Sequence, residues 1–260
     1  MSENIIYCYS GSGHCLQMAK DIAKVLGDTD IILMRSAPVK TDATEAKRVG
    51  FVFPCYGGGL PGDVEEYVKS VRIAPGAYRF AVEQFAGYAG CGLHKIDEIV
   101  GLDYWDSVTN HSTCIWLMPH TLSLAPRNPE KNARRLERKA LEVGGAVRAG
   151  KRRGKKPPKN SVFALESKAF SGLHPKRTKK FSVSDACVSC GTCAKICPRG
   201  NIRLEGGKPV FGTDCIGCLS CLQYCPKQAI DMGKITEKRE RFPNPGVRAL
   251  DLTKQIIHID

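Results

Sequence analysis

A duplicated run of cysteines decides the carboxyl-terminal half of this chain. The first copy reads Cys187-Val-Ser-Cys190-Gly-Thr-Cys193-Ala-Lys-Ile-Cys197-Pro198. The second copy begins 28 residues later and reads Cys215-Ile-Gly-Cys218-Leu-Ser-Cys221-Leu-Gln-Tyr-Cys225-Pro226. An isoleucine and a basic residue also recur at this offset, so the match extends beyond the cysteines. The stretch is therefore an internal repeat in which each copy places four cysteines and then a proline.

The cysteine content of the whole chain bears on where it works. Thirteen cysteines in 260 residues are too many to be incidental, and an odd number cannot all pair as disulfides. The first five residues are neither basic nor strongly apolar, so the sequence predicts no secretory signal. No apolar run approaches the ~18 residues of a membrane-spanning helix. We therefore expect a cytoplasmic protein with no membrane partner, whose cysteines are metal ligands or redox thiols.

The spacing within each copy suits an iron–sulfur cubane. Three thiolates two residues apart share one tight loop and can hold three corners of the cubane, while the fourth corner needs a cysteine from elsewhere. Structural zinc is the alternative, but a four-cysteine zinc site gives no reason for a duplicated three-cysteine loop. A block of about 50 residues is also too small for an adequate apolar core, so bound clusters would form most of it.

The repeat closely resembles the bacterial two-cluster ferredoxin pattern, and the resemblance implies two [4Fe–4S] clusters. In that family the fourth cysteine of each run ligates the other cluster. The ligands implied for the first cluster are Cys187, Cys190, Cys193 and Cys225. Those implied for the second cluster are Cys215, Cys218, Cys221 and Cys197.

Short apolar runs alternate with amphipathic stretches through the first half of the chain. The strand candidates are Asn4–Tyr9, Ile31–Met34, Val49–Phe53, Phe80–Phe85 and Cys114–Met118. Helical periodicity runs from Leu16 until Gly27 stops it, and returns over Val64–Val71 and Leu93–Val100. This rhythm predicts an α/β fold, a doubly wound parallel sheet covered on both faces. Ligands of such sheets bind where the strands end, in the loops that follow them.

The first of these loops is a candidate phosphate site. It reads Ser10-Gly11-Ser12-Gly13-His14-Cys15 and joins a strand to a helix. Hydroxyls and the backbone N–H groups of a helix N-terminus suit a terminal phosphate. The Gly-Lys-Ser/Thr of a P-loop is absent, so nucleotide hydrolysis is not expected. The loop resembles the phosphate loop of flavodoxins, which holds FMN without a cation, although His14 and Cys15 depart from the usual asparagine and hydroxyl residue.

Two further loops, 54–62 and 86–92, follow the strand candidates Val49–Phe53 and Phe80–Phe85. They correspond to the flavodoxin loops that pack the isoalloxazine ring, and each carries a tyrosine that could stack on the ring or serve only in packing. The cofactor-binding residues implied in them are Pro54, Cys55, Tyr56, Gly57, Gly87, Tyr88, Gly90 and Cys91.

The whole chain resembles a family of flavodoxin–ferredoxin fusion proteins from anaerobic microbes. The resemblance implies a flavodoxin-like FMN-binding domain over 1–150, a basic linker over 151–180 and a two-cluster ferredoxin domain over 181–235. Residues 236–260 are expected to form a C-terminal tail. The implied function is electron transfer between the clusters, FMN and redox partner proteins.

Positive charge is concentrated in one segment. The chain carries a net charge of +13, of which residues 127–180 contribute +14 while residues 1–126 contribute −4. A basic helix is predicted at about 129–149, followed by a charged, proline-broken linker. The segment is interpreted either as a solvated helix and linker or as a docking surface for an acidic redox partner. Nucleic acid is not expected as a partner, because the basic residues are not interleaved with aromatic ones.

Other features of the first half leave alternatives open. Cys15, Cys55 and Cys91 fall one in each loop, either as a redox or metal-binding set or as small residues in tight loops. His14 is expected to be a solvated loop histidine. The glycines of 57–62, with Glu83 about twenty residues on, imitate a dinucleotide fingerprint, but a proline lies where its helix should begin.

Two rival functions accompany the electron carrier. One is a flavin-dependent reductase of a small organic substrate fed by its own clusters. The other is a sensor whose clusters are structural and whose basic segment binds nucleic acid. Substrate-dependent reoxidation of the flavin would indicate the first, and salt-dependent binding of nucleic acid the second.

Overall fold

A six-stranded sheet organises the amino-terminal half of the molecule. The computed structural model describes residues 2–36, 40–111, 113–115, 128–159, 161–172 and 180–260. The strands are β1 (Asn4–Cys8), β2 (Thr29–Leu33), β3 (Asp42–Ala43), β4 (Arg48–Pro54), β5 (Arg72–Ile73), β6 (Tyr78–Phe85), β7 (Tyr104–Thr109), β8 (Phe181–Val183), β9 (Ile202–Glu205), β10 (Lys208–Phe211), β11 (Ile230–Met232) and β12 (Ile256–Ile259). The principal helices are α1 (His14–Leu26), α2 (Gly62–Ser70), α3 (Gly92–Val100), α4 (Pro129–Arg148) and α5 (Ser161–Gly172).

The order of strands in this sheet is β12-β2-β1-β4-β6-β7. The five strands β2, β1, β4, β6 and β7 run parallel to one another, and β12 pairs antiparallel with β2 at one edge of the sheet. Numbered among themselves, the parallel strands lie in the order 2-1-3-4-5, which is that of the flavodoxin-like doubly wound fold. The predicted fold class is therefore confirmed.

Helices cover both faces of the sheet, because each presents an apolar stripe at helical spacing. On one face, α1 packs between the sheet and α4, and Gly144 lets the two helices approach closely. A Cβ at Gly144 would lie only 2.7 Å from Cβ of Val25. On the other face, α2 and α3 bury residues against Phe51 and Phe53 of β4. None of the helices in the described ranges is long and apolar enough to cross a bilayer.

The sequence predictions for these elements hold for four strands and four helices but miss the fifth parallel strand. The structure places it at β7, whereas we expected Cys114–Met118. Cys114 and Ile115 are not in a strand, and 116–118 lie outside the described residues. β7 is an edge strand whose residues alternate between buried and half-buried, so its sequence lacks the continuous apolar run of an inner strand.

The cysteine block folds into a small domain of its own. A β9–β10 hairpin and a β8–β11 pair surround two short helices, Thr192–Ile196 and Ser220–Gln223. The apolar core is small, and buried cysteines form part of it. This composition agrees with the expectation that clusters would make up much of the interior.

The last residues return to the amino-terminal half. We expected 236–260 to be a tail, but β12 pairs with β2 and completes one edge of the sheet. Arg35 also ties the halves together, since its guanidinium donates to the carbonyl oxygens of Leu252 (2.9 Å) and Cys197 (2.8 Å). The two halves are thus joined by side chains and by a shared sheet.

Candidate redox site

Two small pockets in the cysteine domain separate the eight repeat cysteines into two sets. The first pocket is lined by Cys187, Cys190, Cys193 and Cys225. The second is lined by Cys197, Cys215, Cys218 and Cys221. Each pocket therefore takes three cysteines from one copy of the repeat and the fourth from the other copy. This is the partition that the crossed ligation of two-cluster ferredoxins requires.

Left-handed backbone shapes the loops that carry these cysteines. In the first loop φ is +56° at Ser189 and +70° at Gly191, and in the second it is +70° at Gly217 and +59° at Leu219. These turns aim backbone N–H groups at sulfur, as in the 3.3 Å contact from the Gly217 nitrogen to Cys215 Sγ. Such donors stabilise a thiolate and tune a cluster bound to it.

The two sets of cysteines fit two cubanes, because each set offers four thiols and a cubane needs one thiolate for each of its four irons. Burial, followed by the neighbouring Cys215 and Cys197 thiols, raises the pKa of Cys218 to about 12. Thiols in this setting become ligands only when a metal centre compensates their charge.

A much larger cavity, of about 490 Å³, lies at the carboxyl ends of the parallel strands. The predicted residues that it brings together are Ser10, Gly11, Ser12, His14, Cys15, Pro54, Cys55, Tyr56, Gly57, Gly87 and Tyr88. Three predicted residues, Gly13, Gly90 and Cys91, do not line the cavity. Gly13 lies against the Tyr224 hydroxyl, and Gly90 lies against the backbone of Gly58. Cys91 lies behind Gly59.

Sequence reasoning missed several residues that line this cavity. They are Gly58, Gln84, Phe85, Ala86, Asn110, His111, Thr113, Cys114, Glu166, Gly217, Cys218 and Leu219. Gly58 and Ala86 lie within the predicted loops 54–62 and 86–92, and Gln84 and Phe85 directly precede the second of these loops. The sequence analysis did not predict β7, and so it also missed the residues that follow this strand, Asn110, His111, Thr113 and Cys114. Glu166 and residues 217–219 belong to segments that are distant in the sequence, and no local sequence pattern indicates that they line the cavity.

The phosphate end of the cavity is polar but uncharged. Ser10 Oγ is buried and has no hydrogen-bond partner among the residues that the structure describes. Helix α1 begins just beyond it, and its N-cap, Gly13, supplies no side-chain cap to the first-turn N–H groups. No lysine or arginine is among the described residues that line the cavity. Free hydroxyl and amide donors without a cation fit a terminal phosphate, as expected from the sequence.

His14 contributes no positive charge to this end. It is only 6% exposed, with Nε2 3.2 Å from the Phe242 carbonyl oxygen and Nδ1 3.1 Å from the Asn244 amide nitrogen. Burial lowers the pKa of His14 to about 4, so the ring is neutral at pH 7. The expectation of a solvated loop histidine was therefore wrong.

The other end of the cavity is aromatic and is covered by α5. The Tyr88 ring stacks on Phe163 of α5, with centroids 4.5 Å apart and an angle of 14° between planes. The Tyr88 hydroxyl donates to the Glu166 carboxylate. We placed residues 161–172 in the linker, but the structure lays them against the candidate ring-binding loops. Tyr88 already has a stacking partner, whereas Tyr56 meets Tyr9 edge-on at 6.1 Å.

The three loop cysteines gather around one buried carboxyl group. Glu83 on β6 is 0% exposed, and neither of its oxygens has a hydrogen-bond partner within the described residues. Burial raises the pKa of Glu83 to about 7. Burial is the main cause of the raised pKa values of Cys15, Cys55 and Cys91, and the negative charge of Glu83 raises these pKa values further.

The surroundings of Glu83 and of residues 57–62 show whether these residues form a dinucleotide-binding fingerprint. Gly57 and Gly58 have positive φ in a two-residue turn between Tyr56 and Gly59, not at the start of a helix. Helix α2 begins only at Gly62, after Pro61. Glu83, which would have to meet a ribose, is buried. The glycines therefore build a tight turn, and the geometry does not fit a dinucleotide fingerprint.

The large cavity and the second cysteine pocket share a wall. Cys218 and Leu219 line both. A Cβ at Gly11 would lie 2.5 Å from the Cys218 carbonyl oxygen, so only glycine permits this approach. Ser220 Oγ donates to the Gly11 carbonyl oxygen (2.8 Å), and the Tyr224 hydroxyl donates to that of Ser12 (3.1 Å). The candidate phosphate loop thus rests directly on the second cysteine loop.

Part of the basic segment serves to attach the linker. Arg152 forms an ion pair with Asp103, and Arg153 forms one with Asp106 at 3.2 Å. The Arg153 guanidinium also lies 4.9 Å from the ring centre of Trp105. Helix α4 packs its apolar side on α1. These contacts favour the interpretation of the segment as helix and linker over that of a docking surface.

Comparison with known sequences adds to this geometry. The family model described as "4Fe-4S dicluster domain" matches residues 186–230. Residues 186–230 form a 4Fe–4S dicluster domain. The match spans all eight repeat cysteines. No curated protein matches the chain.

Several solved structures resemble the other half at low identity. An FMN-dependent NADH-azoreductase from Bacillus anthracis is 12% identical, with 56% of this chain and 99% of that one covered and a TM-score of 0.40. An archaeal flavodoxin is 16% identical, with 55% and 98% covered and a TM-score of 0.38. The rubredoxin oxygen:oxidoreductase of Desulfovibrio gigas is 16% identical, with 56% and 36% covered and a TM-score of 0.37. The flavodoxin-like fold of this chain rests on its strand order.

Proposed function

We propose that the chain is an electron-transfer protein in which two [4Fe–4S] clusters exchange electrons with a bound FMN. The observation that carries the proposal is the wall shared by the large cavity and the second cysteine pocket, where Cys218 lines both. A cluster in that pocket and a flavin in that cavity would have no protein layer between them other than the Cys218 loop.

The cavity suits FMN better than a larger nucleotide. Ser10, Ser12 and the first-turn N–H groups of α1 would hold a terminal phosphate, and the loops of Tyr56 and Tyr88 would flank the ring. A pyrophosphate would bring more negative charge to an end that has only neutral donors. FMN, when bound, takes up one or two electrons, whereas each cluster takes up one at a time. The fusion would thereby connect one-electron and two-electron partners.

Segments from the whole chain pack together around the proposed site of this exchange. The domains proposed from the sequence, 1–150, 151–180, 181–235 and 236–260, are not independent bodies, since α5 covers the cavity and β12 completes the sheet. All thirteen cysteines lie among the described residues and none of them is in a disulfide, which is usual for proteins of a reducing compartment such as the cytoplasm.

A reductase of a small organic substrate is the second candidate. Tyr88 lines the cavity and is 42% exposed, and Glu166 beside it is exposed as well. These side chains offer an aromatic face and a carboxylate to a substrate that approached the cavity from solvent. A reductase would turn over with one class of acceptor, whereas a carrier would not discriminate among acceptors of suitable potential.

Rapid mixing of the loaded protein under anaerobic conditions tests the proposal. After a brief pulse of reductant to the clusters, the flavin should become reduced as the clusters reoxidise. Because the transfer is within one chain, its rate should not change with protein concentration. A rate proportional to concentration, or no transfer at all, would contradict the proposal.

A further inference from the structure

We propose that an acidic one-electron carrier protein docks over the first cysteine pocket and reduces the cluster held there. The docking face comprises Val188, Cys190, Lys195, Leu204, Lys208 and Lys227. This inference rests on the proposed function, since it assigns the place where electrons enter. In the step itself, one electron leaves the partner's reduced centre and enters the first cluster, and no bond forms or breaks.

The two cysteine pockets differ in their access to solvent. Among the eight repeat cysteines, Cys190 of the first pocket is the one that is exposed. The second pocket is turned toward the large cavity, where Cys218 forms part of the wall. A protein partner can therefore approach the first pocket closely, while the second is placed to pass electrons inward.

Apolar side chains surround the exposed cysteine. Val188 is 57% exposed and Leu204 is 42% exposed, and both line the first pocket. They project from two different elements, the first cysteine loop and β9, so they form a patch and not a single protruding side chain. An apolar centre within a charged rim is the usual construction of a transient protein interface.

Three lysines supply the rim. Lys227 lines the pocket, Lys208 Nζ lies 3.5 Å from the Cys187 carbonyl oxygen, and Lys195 follows the Cys193 position on the short helix. All three are exposed, and none forms an ion pair with a carboxylate of the described residues. Glu205, the acidic residue at the end of β9, is already paired with Arg203 at 2.5 Å. Uncompensated positive charge around an apolar centre fits a partner with an acidic surface.

This location differs from the one that the overall charge distribution suggested. The basic segment holds most of the net charge, but Arg152 and Arg153 are paired with carboxylates of the flavodoxin-like half. The lysines of the docking face are fewer, yet they stand beside the exposed cluster ligand. Electron transfer depends on the distance between centres, so position outweighs total charge.

Charge reversal at two matched places tests the inference. One variant carries Lys195→Glu, Lys208→Glu and Lys227→Glu, and the control carries the same change at the exposed Lys151, Lys155 and Lys156. The probe is a reduced, acidic two-cluster ferredoxin, and stopped-flow absorbance follows reduction of the chain's clusters. At low salt the docking-face variant should react at least about tenfold more slowly, and its rate should lose its salt dependence. The control should change by less than about twofold.

Equal slowing of both variants, or no slowing of the docking-face variant, would overturn the inference. Iron content and reduction by dithionite should match the wild type in both, and a triple Lys→Gln variant replaces the reversal if cluster assembly fails. The two proposals concern different electron-transfer steps. Transfer from the partner to the clusters tests docking, whereas transfer from the clusters to the flavin, followed in the dithionite-reduced wild type, tests the proposed function.

Discussion

Replacing Glu83 by glutamine should stabilise the protein above pH 7 while leaving its stability near pH 4.5 almost unchanged. The carboxyl is 0% exposed, and its Oε1 packs so closely on Gly92 that a Cβ there would lie 2.5 Å away. Burial raises the pKa of Glu83 from its ordinary 4.5 to about 7. The folded protein therefore holds this proton more tightly than the unfolded chain does.

The magnitude follows from that difference in pKa. Each pKa unit corresponds to about 1.4 kcal/mol, so a rise from 4.5 to about 7 amounts to about 3 kcal/mol. Because the folded pKa is the higher one, the stabilising contribution is complete below pH 4.5 and is lost as the pH rises through 7. Glutamine cannot ionise, so the variant avoids this loss. His14, with its pKa lowered to about 4, has the opposite dependence, but it is present in both proteins and cancels in the comparison.

Thermal unfolding of the loaded proteins under anaerobic conditions, at several pH values from 5 to 8, measures the effect. For a chain of this size, about 3 kcal/mol corresponds to roughly 6–12 °C in Tm at pH 8. Glu137→Gln, at an exposed position of α4, is the control and should change Tm little at any pH. Parallel Tm curves for wild type and Glu83→Gln, or a less stable variant at pH 8, would refute the buried-carboxyl argument.

Three further outcomes are expected. Ser10→Ala combined with Ser12→Ala should weaken FMN binding at least about tenfold, since each lost hydrogen bond to phosphate is worth ~1–3 kcal/mol; flavin fluorescence titration measures this, and iron content should not change. Cys197→Ala should remove the cluster of the second pocket, keep that of the first, and stop electron passage to the flavin, as iron analysis and rapid mixing would show. Deleting residues 256–260 should expose the edge of β2 and lower stability by roughly 2–4 kcal/mol in thermal unfolding, about one per lost backbone hydrogen bond.

Features that depend on local sequence could be predicted. The apolar spacing from Leu16 and the stop at Gly27 predicted α1, because helix periodicity and a C-cap glycine with positive φ (+71°) are properties of neighbouring residues. The cysteine spacing likewise indicated two clusters, and the loops 10–15 and 54–62 were recognised from their glycines and their position after strand candidates. In each case the residues that decide the structure lie within one loop or one helix.

Features that depend on long-range contact could not be predicted. Nothing near Ile256–Ile259 indicates that it pairs with β2, and nothing in α5 indicates that Phe163 meets Tyr88. The approach of Cys218 to Gly11 joins residues more than two hundred positions apart. Gly11 can be read from the sequence, but the need for glycine at this position arises from the backbone of Cys218 in the cysteine domain.

Cofactor analysis of the anaerobically purified protein tests the central claim most directly. We expect about eight irons, as two [4Fe–4S] clusters, and one FMN per chain, released by denaturation and identified by chromatography. Stoichiometric zinc without visible-region charge-transfer absorbance would contradict the clusters. A protein that yields no flavin, and neither binds nor quenches added FMN, would contradict the flavin site.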